Sequence, residues 1–231
     1  MEWNEIRRSE RNDIAWRAVG GVDSGVMYIF GGKMKTDFKI KRIDKKEAGT
    51  ILLKFHYLKD ISKGFKSGYN YGLFKNGVLL GVIIFTGFPV PELAKGMLGL
   101  ERNEQCGLFE ISRLCLEPVI QKKEHNLASW FVSRTIKQLK KDTDVKVILS
   151  YADAIFHEGT IYRACNFKYY GLSAEKKDFW IKQKDGGFIK HSRGKVKGID
   201  GEWRPRSRKH RFVMLFDKHL IIKWNEVKKC I

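Results

Sequence analysis

The chain has 231 residues, of which 43% are hydrophobic, enough for one α/β domain with a substantial core. Its 45 Lys and Arg against 26 Asp and Glu give a formal net charge of +19, which indicates a polyanionic partner such as nucleic acid. No stretch approaches the roughly 20 apolar residues of a membrane span, and the first residues lack the apolar core of a signal peptide, so we expect a cytoplasmic protein without a membrane partner.

The first part of the chain predicts an arm followed by a strand, a helix and a hairpin. Residues 1–24 are polar and indicate an N-terminal arm. The run TDFKIKRI alternates as a strand does, and KKEAGTILLKFHYL then predicts a helix that has Asp44 as its N-cap and ends at His56 and Tyr57. Two β-rich runs, YNYGLFK and VLLGVIIFTGF, are joined by Asn76-Gly77, a strong hairpin signal.

The second part predicts alternating strands and helices and then a basic tail. Residues 89–105 predict a loop or short helix, CGLFEISRLCLEP a strand, and an amphipathic helix follows from about residue 126 to residue 141. KVILSYAD predicts a buried strand that ends at Asp153, GTIYRACNF a short helix, and KYYGLSAEKKDFWI one strand. The tail is basic and ends in one more strand.

This order of elements resembles that of the GNAT acyltransferases. The resemblance implies an α/β fold in which helices flank a central mixed, mostly antiparallel twisted sheet, with a basic C-terminal extension. We expect a single domain over residues 1–231, in which a core of residues 25–185 follows the arm. Residues 186–231 would form the basic C-terminal segment with its final strand.

The end of the strand before the long helix resembles the coenzyme A site of that class. There, an L-x-V-x-P strand end leads to a loop that holds the pyrophosphate at the next helix N-terminus, and Leu114, Leu116 and Pro118 fit this pattern. The resemblance implies acetyl-CoA or a related thioester as cofactor. The residues expected to contact it are Leu116, Lys122, Lys123, Asn126 and Ser129.

The glycines of the class's Q/R-x-x-G-x-G/A loop are missing here. The aligned positions are Gln121, Glu124 and Asn126, and a carboxylate beside a pyrophosphate is repulsive. Either Lys122 and Lys123 offset that charge, the register slides to Lys123, Asn126 and Ala128, or coenzyme A binding has changed. Asn126 tolerates the left-handed backbone that a glycine would otherwise supply.

IYRACNF resembles the Y-x-x-x-G-F motif of the same class, whose tyrosine donates a proton to the departing thiolate. Tyr162 holds that place. A phenol, with a pKa of about 10, is a suitable general acid beside a thiol, with a pKa of about 8.5. The alternative is that Tyr162 is a core aromatic facing the sheet.

A further set of motifs runs in one order from residue 50 to residue 170: FHY, EISRLCL, N-x-x-S-W, LSYAD and H-x-GTIYRACNF-x-Y-x-G. Their combination resembles the Mom family of phage DNA-modification proteins. The resemblance implies a transferase that appends a methylcarbamoyl group to N6 of adenine in double-stranded DNA and so protects the phage genome from restriction. It also implies use of a coenzyme A thioester and a bound iron.

Five residues take catalytic roles by this resemblance, and the predicted elements bring them to one end of the sheet. They are His56, Tyr57, Arg113, Asp153 and Tyr162. Ligands of open α/β sheets collect at the carboxyl ends of strands, so this placement makes chemical sense.

The charged members of this set have structural alternatives. Arg113 could bind an anion or stabilise developing negative charge, or it could pair with Glu110 or Asp153. Asp153 could orient the adenine amine or take its proton, or it could cap the residues after it. His56 could ligate iron, helped by Asp153, His157 or Tyr57, or it could form only local hydrogen bonds.

The basic tail predicts the DNA contact, because residues 171–231 contain 17 Lys or Arg against 7 Asp or Glu. We expect these cations to bind the phosphates of the DNA backbone rather than to contact base edges. The predicted contacts are Arg193, Lys195, Arg204, Arg206, Arg208, Lys209 and Arg211. An enzyme that acts on N6 inside a duplex must flip the base, and candidate stacking partners are Trp203, Tyr69, Tyr71 and Phe88.

Two other functions stay open at this point. One is a conventional coenzyme A-dependent N-acetyltransferase that acts on an amine of a protein, an RNA or a small molecule. The other is a non-catalytic basic DNA-binding protein. A polar cluster of Arg, Asp, His and Tyr favours an enzyme, and the sequence leaves a homodimer open.

Overall fold

The computed structural model describes residues 37–56, 64–191 and 194–228. The predicted arm, Tyr57 and Arg193 lie outside the described residues. Ten strands are described: β1 Phe38–Arg42, β2 Tyr69–Lys75, β3 Val78–Gly87, β4 Leu108–Leu116, β5 Val147–Asp153, β6 Lys168–Leu172, β7 Lys177–Lys182, β8 Phe188–Lys190, β9 Gly201–Pro205 and β10 Lys209–Leu215. Five α-helices accompany them: α1 Lys45–Phe55, α2 Pro91–Leu98, α3 Pro118–Lys123, α4 Leu127–Asp142 and α5 Thr160–Ala164.

Seven strands form the central sheet, in the order β1-β2-β3-β4-β5-β10-β6. All neighbours pair antiparallel except β4 and β5, which run parallel. The predicted fold class, a mixed and mostly antiparallel sheet, is confirmed. A separate small sheet has the order β8-β7-β9.

Helices cover both faces of the central sheet. Alternate residues of a strand point to opposite sides, so each face presents apolar side chains against which a helix can pack. On one face, Ile83 and Phe85 of β3 pack in the same apolar cluster as Phe131 of α4. On the other face, Val82 packs with Leu52 of α1. No helix among the described residues is long and apolar enough to span a membrane.

Local signals explain the first helix and the first hairpin. Asp44 accepts a hydrogen bond from the Glu47 backbone N–H at 2.7 Å, and Glu47 accepts one from the Asp44 N–H at 2.9 Å, so the predicted N-cap of α1 is confirmed as a capping box. The turn between β2 and β3 places Asn76 and Gly77 at φ 51° and 82°. These left-handed conformations are the ones that an Asn-Gly hairpin turn requires.

Strands β4 and β5 pair over only four residues each, from Leu108 opposite Val147 to Ile111 opposite Ser150. Beyond that point β4 continues beside β3, whereas β5 continues beside β10 as far as Asp153. The two parallel strands therefore separate at their carboxyl ends, and a gap opens in the middle of the sheet.

Two predicted elements are corrected by the structure. The run from residue 168 to residue 181, predicted as one strand, is divided between β6 and β7, which belong to different sheets. The break lies at Ser173, whose backbone N–H donates to the Lys209 carbonyl at 2.8 Å and whose carbonyl accepts from Arg208 Nε at 2.8 Å. The tail contains three strands rather than one, and β10 lies between β5 and β6 in the central sheet.

Candidate active site

A cavity of about 550 Å³ occupies the gap between β4 and β5. This volume lies within the usual range for ligand sites in proteins. Four of the five predicted catalytic residues line it together, namely His56, Arg113, Asp153 and Tyr162. Its other polar or titratable lining residues are Glu110, Ser112, Cys115, Gln121, Tyr151, His157, Thr160 and Lys209.

Arg113 has a guanidinium group with spare hydrogen-bonding capacity. Its Nη1 donates to the neighbouring Ser112 carbonyl at 2.6 Å, while its buried Nε has no hydrogen-bond partner. The alternative of an ion pair with Glu110 or Asp153 is not observed, because no bridge within 4.0 Å joins them in the part of the chain described. A buried cationic donor without a partner is suited to binding an anion in the cavity.

His56 caps α1 and faces the Arg113 charge. Burial first, and then the positive charge of Arg113, lower the pKa of His56 from 6.5 to about 4. The ring is therefore neutral at pH 7 and can donate or accept a hydrogen bond without carrying charge.

The predicted iron site at His56 is not supported by the described residues. Among them, no group of three or more His, Cys, Asp or Glu side chains could hold a metal ion. The Arg113 cation that lowers the pKa of His56 would also repel a metal cation, and this is the physical reason that the ligand set does not fit.

We expect the neutral His56 to make the fold sensitive to acid. Because its pKa is lower in the folded chain, the unfolded chain binds a proton first, so stability is complete above pH 6.5 and declines towards pH 4. The full shift corresponds to about 3 kcal/mol, and partial solvent exposure of the ring reduces the expected loss to about 1 kcal/mol. Urea unfolding at pH 7 and pH 5 measures it.

The variant His56→Gln should show a smaller decrease in the free energy of unfolding between those two pH values. The exposed His219→Gln is the matched control and should behave as the wild type does. An equal decrease in wild type and His56→Gln would contradict the assignment.

Asp153 fixes the turn that follows β5. Its Oδ1 accepts the Ile155 backbone N–H at 3.1 Å, and its Oδ2 accepts the Ser207 hydroxyl at 2.6 Å. The carbonyl of Asp153 also accepts the N–H groups of Phe156 and His157 at 3.0 and 2.8 Å. The capping alternative is therefore observed, with a tight turn in place of a helix, and Asp153 also lines the cavity.

Glu110, Tyr151 and Lys209 form a second polar group in the cavity that the sequence-based set of catalytic residues omits. Burial raises the pKa of Glu110, and the charges of Lys209, Arg113 and Lys66 only partly offset this effect. Burial likewise lowers the pKa of Lys209, and burial together with the Glu110 charge raises the pKa of Tyr151 to about 12. The Lys209 ammonium lies 5.9 Å from the centre of the Tyr151 ring.

Tyr162 is held in place by aromatic packing and by a glycine. Its ring centre lies 5.6 Å from that of Phe167 and 5.4 Å from that of Phe212, and the side chain is 9% exposed. Gly159 is the N-cap of α5 and has φ 73°, and a Cβ atom at this position would clash with the Phe212 ring. Only glycine permits this approach of α5 to β10, so Tyr162 is both a core aromatic and a residue of the cavity wall.

Asn126 and Glu124 show how the loop between α3 and α4 adapts to the absence of the expected glycines. Asn126 has φ 56° and ψ 20°, the left-handed conformation that the sequence predicted it would tolerate. Glu124 is paired with Lys75 at 2.9 Å, so its negative charge is neutralised from the neighbouring hairpin. Lys122 and Lys123 are exposed at the end of α3. Ser129 is in the first turn of α4 and donates to the Asn126 carbonyl at 3.1 Å, while Leu116 is buried at the end of β4.

The predicted DNA-contacting cations occupy different environments. Lys195 is exposed. Arg204 pairs with Glu202 and lies 4.2 Å from the centre of the Phe188 ring. Arg206 and Arg208 lie 4.0 and 3.5 Å from Asp178 and Glu175, and each keeps 39% of its side chain exposed.

The last two predicted contacts are turned inward. Lys209 lines the cavity, and Arg211 stacks on Trp224 at 4.4 Å from the ring centre while it donates to the Tyr170 carbonyl at 2.5 Å. Of the candidate stacking partners, Tyr71 is fully buried and its hydroxyl donates to Asp142 at 2.6 Å, so it cannot meet a base. Trp203 is 55% exposed on the small sheet.

Comparison with known families identifies the chain. Residues 37–228 match the model of the Mom protein family, and the chain therefore belongs to this family. A search of curated proteins gives no match.

Several solved acetyltransferases are similar in structure. The IAA acetyltransferase from Bacillus cereus is 13% identical with a TM-score of 0.48, and the match covers 78% of this chain and 99% of that one. A GNAT family acetyltransferase from Elizabethkingia anophelis with acetyl-CoA bound is 12% identical with a TM-score of 0.49, over 79% and 100% of the two chains. A Bacillus subtilis acetyltransferase in complex with CoA is 14% identical with a TM-score of 0.46, over 78% and 97%. Likeness at this level bears on neither substrate nor cofactor.

Proposed function

We propose that the chain is a DNA-modifying transferase of the host cytoplasm that converts adenine to N6-methylcarbamoyladenine and so protects phage DNA from restriction. The observation that carries the proposal is the match to the Mom family over the same residues that build the cavity. The net charge of +19 supports double-stranded DNA as the substrate.

We further propose a coenzyme A thioester as the cofactor, which would supply a two-carbon acyl unit joined to a thiolate leaving group. The product also needs an amine that displaces the thiolate to form the amide, and a two-electron oxidant, because the methyl carbon of the acyl unit must lose two electrons and a proton to bond to N6. Two observations support a fit: Arg113 offers a buried Nε without a partner, and Lys75 neutralises Glu124 beside the α4 N-terminus. Leu116 would contact the cofactor inside the gap. The phosphates of the cofactor would lie outside the gap, held by Lys122, Lys123, Asn126 and Ser129.

We assign Glu110 as the general base that accepts the proton lost by the adenine amine. N6 loses one proton when it gains a substituent, so the site needs a base in the cavity. Burial raises the pKa of Glu110, which makes its carboxylate a stronger base than an exposed one. Both Asp153 oxygens accept hydrogen bonds, so Asp153 acts by positioning the rim of the site and the amine beside it.

Tyr162 and Arg113 are proposed to act on the leaving group, whereas Glu110 acts on the adenine amine. Tyr162 would donate a proton to the thiolate that leaves a bound thioester, and Arg113 would stabilise negative charge that develops there. His56, neutral at pH 7, donates or accepts a hydrogen bond without adding charge near Arg113. Lys209 stabilises the ionised form of Glu110 between turnovers.

Mass spectrometry of nucleosides tests the proposal. DNA from cells that express the chain should contain a deoxyadenosine heavier by one methylcarbamoyl group. DNA from cells that express Tyr162→Phe at the same level should contain far less of it, because this variant keeps the aromatic packing and loses the proton donor.

Two other outcomes would overturn the proposal. Acetyl transfer to a protein, RNA or small-molecule amine, with unmodified adenine, would assign a conventional N-acetyltransferase. Protection of DNA that persists in Tyr162→Phe without any modified base would assign a non-catalytic DNA-binding protein.

A further inference from the structure

The small sheet β8-β7-β9 presents an apolar face that carries an exposed tryptophan. Phe179 of β7 pairs with Trp203 of β9, and Ile181 of β7 pairs with Ile189 of β8, so these four side chains lie on the same face. The Trp203 ring packs edge-on against Phe179 with 5.3 Å between the ring centres, yet the residue is 55% exposed, and Ile189 is 53% exposed. Phe179 therefore holds an aromatic ring in a fixed orientation at the surface.

The strands and loops around this face carry an excess of positive charge. Residues 176–208 contain 11 Lys or Arg against 4 Asp or Glu. Arg204 and Lys190 form ion pairs with acidic neighbours. Six exposed lysines have no ion pair within 4.0 Å among the described residues, namely Lys176, Lys177, Lys182, Lys184, Lys195 and Lys197. Such lysines around a fixed aromatic ring suit a polyanion that also offers sugar and base surfaces, as nucleic acid does.

Hydrogen bonds hold the small sheet beside the cavity. The Arg206 N–H donates to the Lys176 carbonyl at 2.8 Å, which joins the segments that enter and leave the small sheet. The Ser207 hydroxyl donates to the carboxylate of Asp153, a residue of the cavity wall, at 2.6 Å. Trp203 precedes Ser207 by only four residues, so their Cα atoms are at most about 14 Å apart. A long polymer that places one of its units in the cavity can therefore contact the small sheet at the same time.

We infer that the small sheet is a docking surface for the duplex DNA that flanks the target adenine, with Trp203 against sugars and base edges and the six lysines at phosphates. The inference rests on the proposed function for the identity of the polymer. Base pairs are stacked about 3.4 Å apart, so a reach of about 14 Å places the contact roughly four base pairs from the adenine in the cavity. Strands and sheets are established elements for contact with a DNA groove.

The salt dependence of binding tests the lysine contacts. A labelled duplex of about 24 base pairs is titrated with the full chain, without any donor, and fluorescence anisotropy gives the affinity at several salt concentrations. Each phosphate contact contributes about 0.9 to the slope of log affinity against log salt. The variant Lys182→Ala/Lys184→Ala/Lys195→Ala should therefore flatten this slope by about 2 to 3.

The matched control removes the same charge elsewhere. Lys39, Lys46 and Lys137 are exposed and lie outside the small sheet. The variant Lys39→Ala/Lys46→Ala/Lys137→Ala should change the slope by less than about 1, because its lysines do not contact phosphates of the bound duplex.

The Trp203 contact has its own readout. Trp203→Ser should weaken duplex binding by about tenfold and keep the wild-type slope, because an aromatic contact releases no counterions. Trp203→Phe keeps a ring beside Phe179 and should bind within about threefold of wild type. Circular dichroism shows whether each variant folds. If Trp203→Ser does not fold, the two lysine variants decide the inference.

The outcomes separate this inference from the proposed function. Equal slopes for the two lysine variants overturn the docking surface, even if adenine is modified in cells. Tighter binding of a single strand than of the duplex, lost in Trp203→Ser, also overturns it and assigns an unpaired strand. Binding of polyglutamate as tight as that of the duplex overturns it and assigns an acidic polypeptide. A slope that flattens only in the small-sheet variant, while cellular DNA contains no modified adenine, upholds the docking surface and rejects the proposed chemistry.

Discussion

Replacing Glu110 by Gln should reduce adenine modification by about 100-fold or more, the contribution expected of a general base. Gln keeps the size and the hydrogen-bonding character of the side chain but cannot accept the adenine proton. The measurement is the amount of modified deoxyadenosine per microgram of protein in cellular DNA. The exposed Glu92→Gln is the matched control and should retain full activity.

The pH dependence of Glu110 gives a second readout. Burial raises the pKa of Glu110, so wild-type activity should decline with falling pH at a higher pH than an ordinary carboxyl would give. The residual activity of Glu110→Gln should lack that decline. The same raised pKa means that the ionised carboxylate destabilises the folded chain at neutral pH, and Glu110→Gln should melt at the same temperature or higher. Loss of activity together with loss of stability would count against the assignment.

Replacing Tyr162 by Phe should lower the rate by about 100-fold, since only the proton donor is removed. The ring that packs on Phe167 and Phe212 stays, so the melting temperature should change little. The rate of DNA modification by the purified chain with its donor is the measurement, taken at several pH values. Tyr170→Phe is the matched control, because Tyr170 is buried and does not line this cavity.

The difference in rate between wild type and Tyr162→Phe should become smaller above about pH 9. A leaving group whose thiol has a pKa near 8.5 then departs as the thiolate without needing a proton. If the rate difference between wild type and Tyr162→Phe stays constant from pH 7 to pH 9.5, the hydroxyl does not protonate the thiolate, and the donor role would have to be abandoned.

The elements that sequence reasoning placed correctly depend on local chemistry. Asp44 and Glu47 are three residues apart and cap α1 by themselves, and Asn76-Gly77 closes its hairpin within one turn. The left-handed backbone at Asn126 is local too. Each of these features can be judged from a few neighbouring side chains, so no knowledge of the rest of the chain was needed.

The missed features depend on contacts between distant parts of the chain. Lys209 belongs to a run of cations that predicts DNA contacts, yet β10 pairs it with Asp153 and places it in the cavity wall. Glu110 and Arg113 are the two charged residues of the otherwise largely apolar strand LFEISRLCL. The role that we propose for Glu110 depends on its burial, which the sequence does not show. The neutral state of His56 likewise depends first on its burial and then on the Arg113 charge, which lies on another element.

The position of β10 between β5 and β6 has a consequence for biosynthesis. A chain still emerging from the ribosome has β5 and β6 before it has the strand that joins them, so both present open edges until residue 215 is made. Asp153 gains its Ser207 contact, and the cavity gains Lys209, at the same late moment. The proposed activity therefore depends on this late strand, and a product shortened before residue 215 would leave the facing edges of β5 and β6 unpaired.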